Sequence, residues 1–215
     1  MNEVTPSLRA LVSVWLAAVA GFAILAAFAG AQDTFPGDVS LAQRLQEVDS
    51  SLFARLLDWV EDLTDLPLLV VIYAVVAVAL YVRAGRETAV LLLFSVLGRG
   101  VNSVLKEIID RPRPSAVLVD FTDQPSSLSF PSGHSEGAMV LYGLIFYFAG
   151  VYVKEVRLRA AVQIGCAAIV IATGIERVYA GHHWPSDVIG GWYIGGLVLA
   201  ACIAIHRLVI LRRSE

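Results

Sequence analysis

The sequence has few charged residues and only two cysteines, and both shortages narrow the class of protein. Of its 215 residues, 16% are charged and 57% are hydrophobic, with a mean hydropathy of +0.71. Soluble globular domains are usually about 45–50% apolar, so this composition indicates a membrane protein. The net charge is −3 and the basic residues form no continuous stripe, which excludes nucleic acid as a partner.

The cysteines, Cys166 and Cys202, lie inside apolar stretches without the spacing of a metal site. We therefore expect packed thiols and neither a disulfide nor a zinc site. Three of the four histidines lie instead in polar segments, and no zinc motif such as His-Glu-x-x-His is present. The sequence predicts a site with no metal and no cofactor.

Six stretches are long and apolar enough, or nearly so, to cross a bilayer, because a spanning helix needs about 20 residues. They cover residues 8–30, 66–82, 88–109, 135–153, 158–175 and 188–211. We interpret the first as a retained span and not a cleaved signal peptide, because it is long and its start is barely basic. The sequence predicts an all-α membrane bundle of about six spans, forming one domain over residues 1–215.

Residues 35–65, between the first two spans, are rich in acids but have apolar residues at helical spacing, such as Leu41, Leu45, Leu52 and Leu56. This pattern predicts an amphipathic helix or helix pair lying at the membrane interface. A small solvated helical cap packed on the bundle is the alternative.

The distribution of basic residues predicts the orientation, because Lys and Arg are concentrated in cytoplasmic loops. If the spans alternate, one side holds Arg83, Arg86, Lys154, Arg157, Arg159, Arg207, Arg212 and Arg213. That side is predicted to be cytoplasmic, together with both termini. Three polar clusters then lie on the opposite, outward side.

In the first cluster, Lys106 and Arg113 are seven residues apart, so a helix would place both on one face. Pro112 and Pro114 are expected to end that helix, and Arg113 is suited to bidentate contact with a phosphate. The alternative is a basic helix end whose side chains extend into the lipid headgroups.

The second cluster, Pro131-Ser132-Gly133-His134, directly precedes an apolar span. A helix N-terminus presents free N–H groups to an anion, Gly133 permits close backbone approach, and His134 could protonate a leaving oxygen. The alternative is a Ser132 N-cap followed by a histidine without function.

The third cluster contains Arg177, His182, His183 and Asp187. A neutral imidazole can act as a nucleophile, and a carboxylate on its other nitrogen fixes the tautomer. Asp187 could fill that role, or it could simply match the dipole at the start of the last span. His182 competes with His183 as the nucleophile.

Together these clusters resemble the type 2 phosphatidic acid phosphatase superfamily of metal-independent lipid phosphate phosphatases. The motif has three parts, and over residues 106–187 the chain has Lys106 to Arg113-Pro114, then Pro131 to His134, then Arg177 to His183 to Asp187. The resemblance implies that the phosphate is held by Lys106, Arg113, Ser132, Gly133 and Arg177. It also implies that His183 attacks to form a phosphohistidine, that Asp187 orients His183, and that His134 serves the leaving group and then water.

The chain departs from the family pattern at Glu176, where a serine is usual. A carboxylate near a phosphate would repel it unless paired. Arg99, inside the third span, is a candidate partner, because an intramembrane arginine is usually paired. We therefore expect an ion pair between Arg99 and Glu176, with a polar seam of Arg99, Asn102 and Lys106 on one helix face as the alternative.

The predicted function is hydrolysis of a lipid phosphomonoester or pyrophosphate at the outer face of the membrane. The resemblance implies substrates such as phosphatidic acid, phosphatidylglycerol phosphate, diacylglycerol pyrophosphate and undecaprenyl pyrophosphate. The alternatives are a phosphotransferase that uses the same site, and a catalytically silent lipid-binding or transport protein. The expected partners are the lipid substrate and the bilayer, and the sequence specifies no oligomeric state.

Overall fold

A computed structural model describes residues 8–121 and 123–210. Over these residues the chain is helical and contains no strand, which confirms the predicted fold class. The helices are α1 (Leu8–Ala31), α2 (Asp38–Gln46), α3 (Ser51–Thr64), α4 (Leu68–Ala84), α5 (Arg86–Phe94), α6 (Leu97–Ile109), α7 (Gly133–Tyr152), α8 (Val156–Tyr179) and α9 (Pro185–Ile205). The predicted end of the last span at Leu211, and Arg212 and Arg213 of the orientation argument, lie outside the described residues.

Five helical stretches among the described residues are long and apolar enough to cross a membrane. They are Val12–Ala31, Arg86–Ile109, Gly133–Tyr152, Val156–Tyr179 and Pro185–Leu208. Helix α4 has 17 residues and is short for a span, but α3 and α4 together form a sixth candidate that is bent by 59°. The chain is thus a multi-pass membrane protein with five or six candidate spans, where the sequence predicts about six.

The predicted span 88–109 contains a local break between α5 and α6. The hydroxyl of Ser95 donates to the Leu92 carbonyl oxygen at 2.6 Å. Such a bond offers the backbone an alternative to its helical partner and often bends a helix. The two helices still meet the criteria for one span as Arg86–Ile109.

The segment 35–65 forms the helix pair α2 and α3, as its apolar periodicity predicts. Ser50 caps α3 by accepting a hydrogen bond from the Phe53 amide. The side chains of Leu52, Leu56 and Trp59 are exposed. Because α2 and α3 both contact α8, the pair lies against the bundle, and its position at the membrane interface remains a prediction.

Helix α7 lies at the centre of the bundle, where it packs on α8 and α9. Its approach to α9 depends on Gly191, since a Cβ atom there would lie 2.5 Å from the Ser132 carbonyl oxygen and 2.9 Å from Ser135 Cβ. The Ser132 amide donates to the Asp187 carbonyl oxygen at 3.0 Å. This close contact brings the start of α7 and the start of α9 side by side, and the second and third polar clusters with them.

Candidate active site

A cavity of about 250 Å³ lies where the three polar clusters meet. Six of the eight residues predicted to form the site line it: Lys106, Arg113, Gly133, His134, Arg177 and His183. The other two, Ser132 and Asp187, are fully buried behind this lining. Predicted residues that are up to 77 positions apart in sequence thus meet in one cavity, and three of them, Lys106, Arg113 and Arg177, have cationic side chains.

The first cluster reaches the cavity from the end of α6, but not on one helix. The helix ends at Ile109, and Asp110 adopts a left-handed conformation with φ 53°. Pro112 disfavours helical geometry at the residue before it, so the chain leaves the helix before Arg113. The prediction that Lys106 and Arg113 share a helix face is therefore wrong, although both side chains line the cavity.

Arg113 lies directly beside His183. Its Nη1 atom is 3.3 Å from His183 Nε2 and donates to the His182 carbonyl oxygen at 2.6 Å. Because a guanidinium donates and does not accept, this contact requires an unprotonated Nε2. Burial lowers the Arg113 pKa to about 10, so the guanidinium is still charged at neutral pH.

His183 is 2% exposed, and its burial lowers its pKa to about 3, although the neighbouring Asp187 acts in the opposite direction. The imidazole is therefore neutral at physiological pH. Its Nδ1 atom lies 3.6 Å from Asp187 Oδ2 and 3.5 Å from Ser129 Oγ. With the proton on Nδ1, facing Asp187, the lone pair is on Nε2, beside the cations of the cavity.

Three hydrogen bonds fix Asp187 at the start of α9. Its Oδ2 accepts hydrogen bonds from Ser129 Oγ at 2.5 Å and from the Trp184 amide at 2.8 Å. Its Oδ1 accepts from Arg111 Nη1 at 2.6 Å. A carboxylate with this many donors stays ionised and fixed, and can define the orientation of the His183 ring.

Arg111 was not identified as functional from the sequence, although it lies within the first cluster. Its guanidinium is fully buried and joins Asp187 to Asp38 of α2, with Nη2 3.0 Å from Asp38 Oδ2. It also donates to Ser186 Oγ at 2.8 Å. This buried bridge attaches the helix pair α2–α3 to the start of α9.

His134 lies at the first turn of α7, next to the capped helix start. Ser132 Oγ accepts hydrogen bonds from the Ser135 amide at 3.4 Å and from the Ser135 hydroxyl at 3.0 Å. Ser132 is therefore the N-cap of α7, which is the capping role that the alternative interpretation of this motif gave it. His134 Nε2 lies 2.6 Å from Oδ1 of Asp65, between α3 and α4. Like His183, His134 therefore has a carboxylate partner. This partner, Asp65, lies outside the three polar clusters.

Glu176 pairs with the adjacent Arg177 through its Oε2, and Glu61 of α3 contacts Arg177 Nη2. The expected ion pair between Arg99 and Glu176 is therefore wrong. Arg99 lies beside α7, which packs on α6, and shares the cavity lining with Glu136. The carboxylate of Glu176 is neutralised as expected, but by the residue that follows it.

His182 faces a different cavity of about 430 Å³. Its Nε2 atom lies 3.1 Å from the Asp123 carbonyl oxygen, and burial lowers its pKa. Of the two adjacent histidines, His183 lies beside the cations, as the motif predicts.

The chain is similar in sequence to several known proteins. Phosphatidylglycerophosphatase B of Bacillus subtilis (strain 168) is 39% identical over 135 residues, which cover 62% of this chain and 63% of that protein. Undecaprenyl-diphosphatase BcrC of the same organism is 24% identical over 137 residues, covering 60% and 65%. The matched regions thus span somewhat less than two thirds of these curated relatives.

The fold is shared with a crystal structure of a transmembrane PAP2 type phosphatidylglycerolphosphate phosphatase from Bacillus subtilis. The TM-score is 0.78 at 25% sequence identity, and the match covers 91% of this chain and 96% of that one. The family model of the PAP2 superfamily matches residues 87–210, which contain all three polar clusters. The chain therefore belongs to the PAP2 superfamily.

Proposed function

We propose that this protein is a metal-independent phosphatase that hydrolyses a lipid phosphomonoester or lipid pyrophosphate through a phosphohistidine intermediate. The observation that supports this most directly is the position of His183 Nε2, 3.3 Å from Arg113 Nη1 in a cavity that Lys106 and Arg177 also line. A neutral nucleophile among fixed positive charges suits attack on a phosphorus atom, because the cations stabilise the charge of the phosphoryl oxygens.

In the first step, His183 Nε2 attacks phosphorus and the bond to the leaving oxygen breaks. Lys106, Arg113 and Arg177 bind the phosphoryl oxygens, and the Nδ1 proton of His183 faces Asp187, which stabilises the positive charge that develops on the ring. His134 gives a proton to the leaving oxygen. The products of this step are a phosphohistidine and the dephosphorylated lipid.

In the second step, His134 takes a proton from water as the water oxygen attacks the phosphohistidine, which releases inorganic phosphate and restores His183. The carboxylate of Asp65, 2.6 Å from His134 Nε2, orients this ring and stabilises its protonated form. Asp65 is thus a positioning residue in the proposal, outside the three motifs.

The substrates proposed for this chain are lipids with a terminal phosphate. Phosphatidylglycerol phosphate is favoured, because the relative at 39% identity is named a phosphatidylglycerophosphatase. Undecaprenyl pyrophosphate is the next candidate, from the relative at 24% identity. We further propose that the site faces outward with both termini cytoplasmic, because Arg83 and Arg86, at helix ends, and Lys154, between α7 and α8, lie at the ends of the spans opposite the site.

Phosphate release by the purified protein in detergent, with EDTA present and no added acceptor, tests the proposal. Phosphatidic acid, phosphatidylglycerol phosphate and undecaprenyl pyrophosphate are compared. We expect release that His183→Gln abolishes and that His182→Gln, the matched control at the adjacent position, leaves intact. Release only on addition of an acceptor would identify a phosphotransferase, loss of activity to EDTA would refute the metal-independent mechanism, and binding without turnover would indicate a silent lipid-binding protein.

A further inference from the structure

The cavity does not end at the phosphate-binding cations but continues inward along α6. Its inner wall is formed by Arg99, Asn102 and Ser103 of α6 and by Glu136 of α7. Arg99 precedes Lys106 by two helical turns, which places it about 10 Å deeper along the helix axis. We call Arg99, Asn102 and Glu136 the inner polar group.

Two glycines let these charged side chains lie between α6 and α7. A Cβ atom on Gly137 would lie 2.7 Å from Arg99 Nη2, and a Cβ atom on Gly98 would lie 2.7 Å from Glu136 Oε1. Each charged side chain therefore occupies the space that a side chain on the facing helix would fill. Even so, no ion pair within 4.0 Å joins Arg99 to Glu136 in the described part of the chain.

The inner polar group has unused hydrogen-bonding capacity that is shielded from solvent. Asn102 is 4% exposed and Glu136 is 1% exposed. Among residues 8–121 and 123–210, neither Asn102 Nδ2 nor Glu136 Oε2 has a hydrogen-bond partner. Buried polar atoms are nearly always paired, and both residues line the cavity, so a group inside the cavity can supply the missing partner.

The chemistry of the two free atoms indicates what that group is. Asn102 Nδ2 is a donor and Glu136 Oε2 is a carboxyl acceptor, so a ligand that satisfies both atoms must both accept and donate. A hydroxyl does both. A second phosphate would gain Arg99 as a cation but would have to approach the Glu136 carboxylate, and the repulsion between like charges is strong in a buried site.

The residues of α6 next to the inner polar group indicate where the rest of the ligand lies. Ser103 is exposed, and so are its α6 neighbours Val101 and Val104. Apolar residues exposed on a membrane-spanning helix face lipid tails. A lipid whose tail stays in the bilayer beside Ser103 would place the part of its headgroup nearest the terminal phosphate over the inner polar group.

We propose that Asn102 and Glu136 bind a hydroxyl of the polar linker that joins the terminal phosphate to the lipid, so that the enzyme selects polyol-phosphate headgroups. This assignment rests on the proposed phosphatase function and extends it to substrate selection. The hydroxyl accepts a hydrogen bond from Asn102 Nδ2 and donates one to Glu136 Oε2. Arg99, in the same cavity lining, is placed to hydrogen-bond the same linker.

Two substrates that differ in this hydroxyl test the assignment. Phosphatidylglycerol phosphate has a headgroup hydroxyl beside its terminal phosphate, whereas phosphatidic acid has none. We expect Asn102→Leu and Glu136→Gln each to lower kcat/KM for phosphatidylglycerol phosphate about tenfold, mainly through KM, and to change that for phosphatidic acid less than about twofold. Glu107→Gln, an exposed carboxylate on the same helix, is the control and should change neither.

The ratio of the two kcat/KM values, measured on one preparation, is independent of the fraction of folded enzyme. Equal losses on both substrates would overturn the assignment and give the inner polar group a structural role. A selective loss of activity on undecaprenyl pyrophosphate would overturn it in favour of a second-phosphate site. Absence of phosphate release from any lipid by the wild type would instead refute the proposed function, and the assignment with it.

Discussion

Replacing Arg111 by methionine should destabilise the protein more than any other single loss of charge near the site. The Arg111 guanidinium is fully buried and makes three hydrogen bonds of 3.0 Å or less, to Asp187, Asp38 and Ser186. Its removal leaves two buried carboxylates without their shared cation. Breaking a buried ion pair by removing one partner costs about 3–5 kcal/mol.

The hydrogen-bond donors that Asp187 and Asp38 keep place the expected loss of unfolding free energy at the lower end of that range. Asp187 keeps its hydrogen bonds from Ser129 and the Trp184 amide. Asp38 keeps those from the Phe35 amide and from Ser186. We therefore expect Arg111→Met to lower the free energy of unfolding by about 3 kcal/mol.

The assay is denaturant unfolding in detergent micelles, followed by circular dichroism. The exposed Arg44→Met is the control, expected within about 0.5 kcal/mol of the wild type. Because Asp38→Asn neutralises one of the stranded carboxylates, Arg111→Met combined with Asp38→Asn should be more stable than Arg111→Met alone. An Arg111→Met protein as stable as the Arg44→Met control would refute the bridge between α2 and α9.

Three further predictions concern the site. Asp65→Asn should lower kcat about 10- to 100-fold at nearly constant KM, because it removes the carboxylate partner of the acid–base histidine; a rise in KM alone would contradict this. His183 has a folded-state pKa of about 3, against about 6.5 when unfolded. Between these values the unfolded chain binds a proton that the folded chain does not, so stability should fall as pH falls from about 6.5 to 3. The slope of unfolding free energy against pH should be shallower in His183→Gln. An unchanged slope, measured from denaturant unfolding at several pH values, would disprove the lowered pKa of His183. Gly191→Ala should lower the free energy of unfolding by about 1–3 kcal/mol, because its Cβ would press on the backbone at the start of α7, whereas Gly196→Ala on the same helix meets no described atom within 4 Å. Similar unfolding midpoints for the two variants would contradict the close approach of α7 and α9.

The sequence predicted the parts of the site that lie in local motifs. Gly133 and His134 precede an apolar span, and this context alone indicates a helix start facing one side of the membrane. His183 and Asp187 are four residues apart, so a short turn into the last span suffices to bring them together. These spacings are set by local backbone geometry, which can be inferred from sequence.

The partners from the segment 35–65 could not be predicted, because they depend on how distant helices pack. Asp38 and Asp65 are 73 and 69 residues from Arg111 and His134, and their segment contains several other acids without a distinguishing pattern. The one available signal was Arg111, the first arginine in Arg-Pro-Arg-Pro, which the family motif leaves without a role.

The expected ion pair of Arg99 shows a related difficulty. An intramembrane arginine indicates a polar neighbour, but the neighbour depends on which helix packs against α6. That helix is α7, with Glu136, while Glu176 finds a cation in the next residue of its own helix. For Glu176, an ion pair with a residue of its own helix was therefore the simpler prediction.

Trapping of the covalent intermediate tests whether His183 is the nucleophile. Enzyme mixed with a lipid phosphate that is radiolabelled in its terminal phosphate is quenched rapidly, and the label on the protein is measured. We expect an acid-labile, base-stable phosphohistidine that forms in the wild type within the first turnover and is absent from His183→Gln. Label that remains on the protein in His183→Gln, or that resists acid, would contradict His183 as the nucleophile.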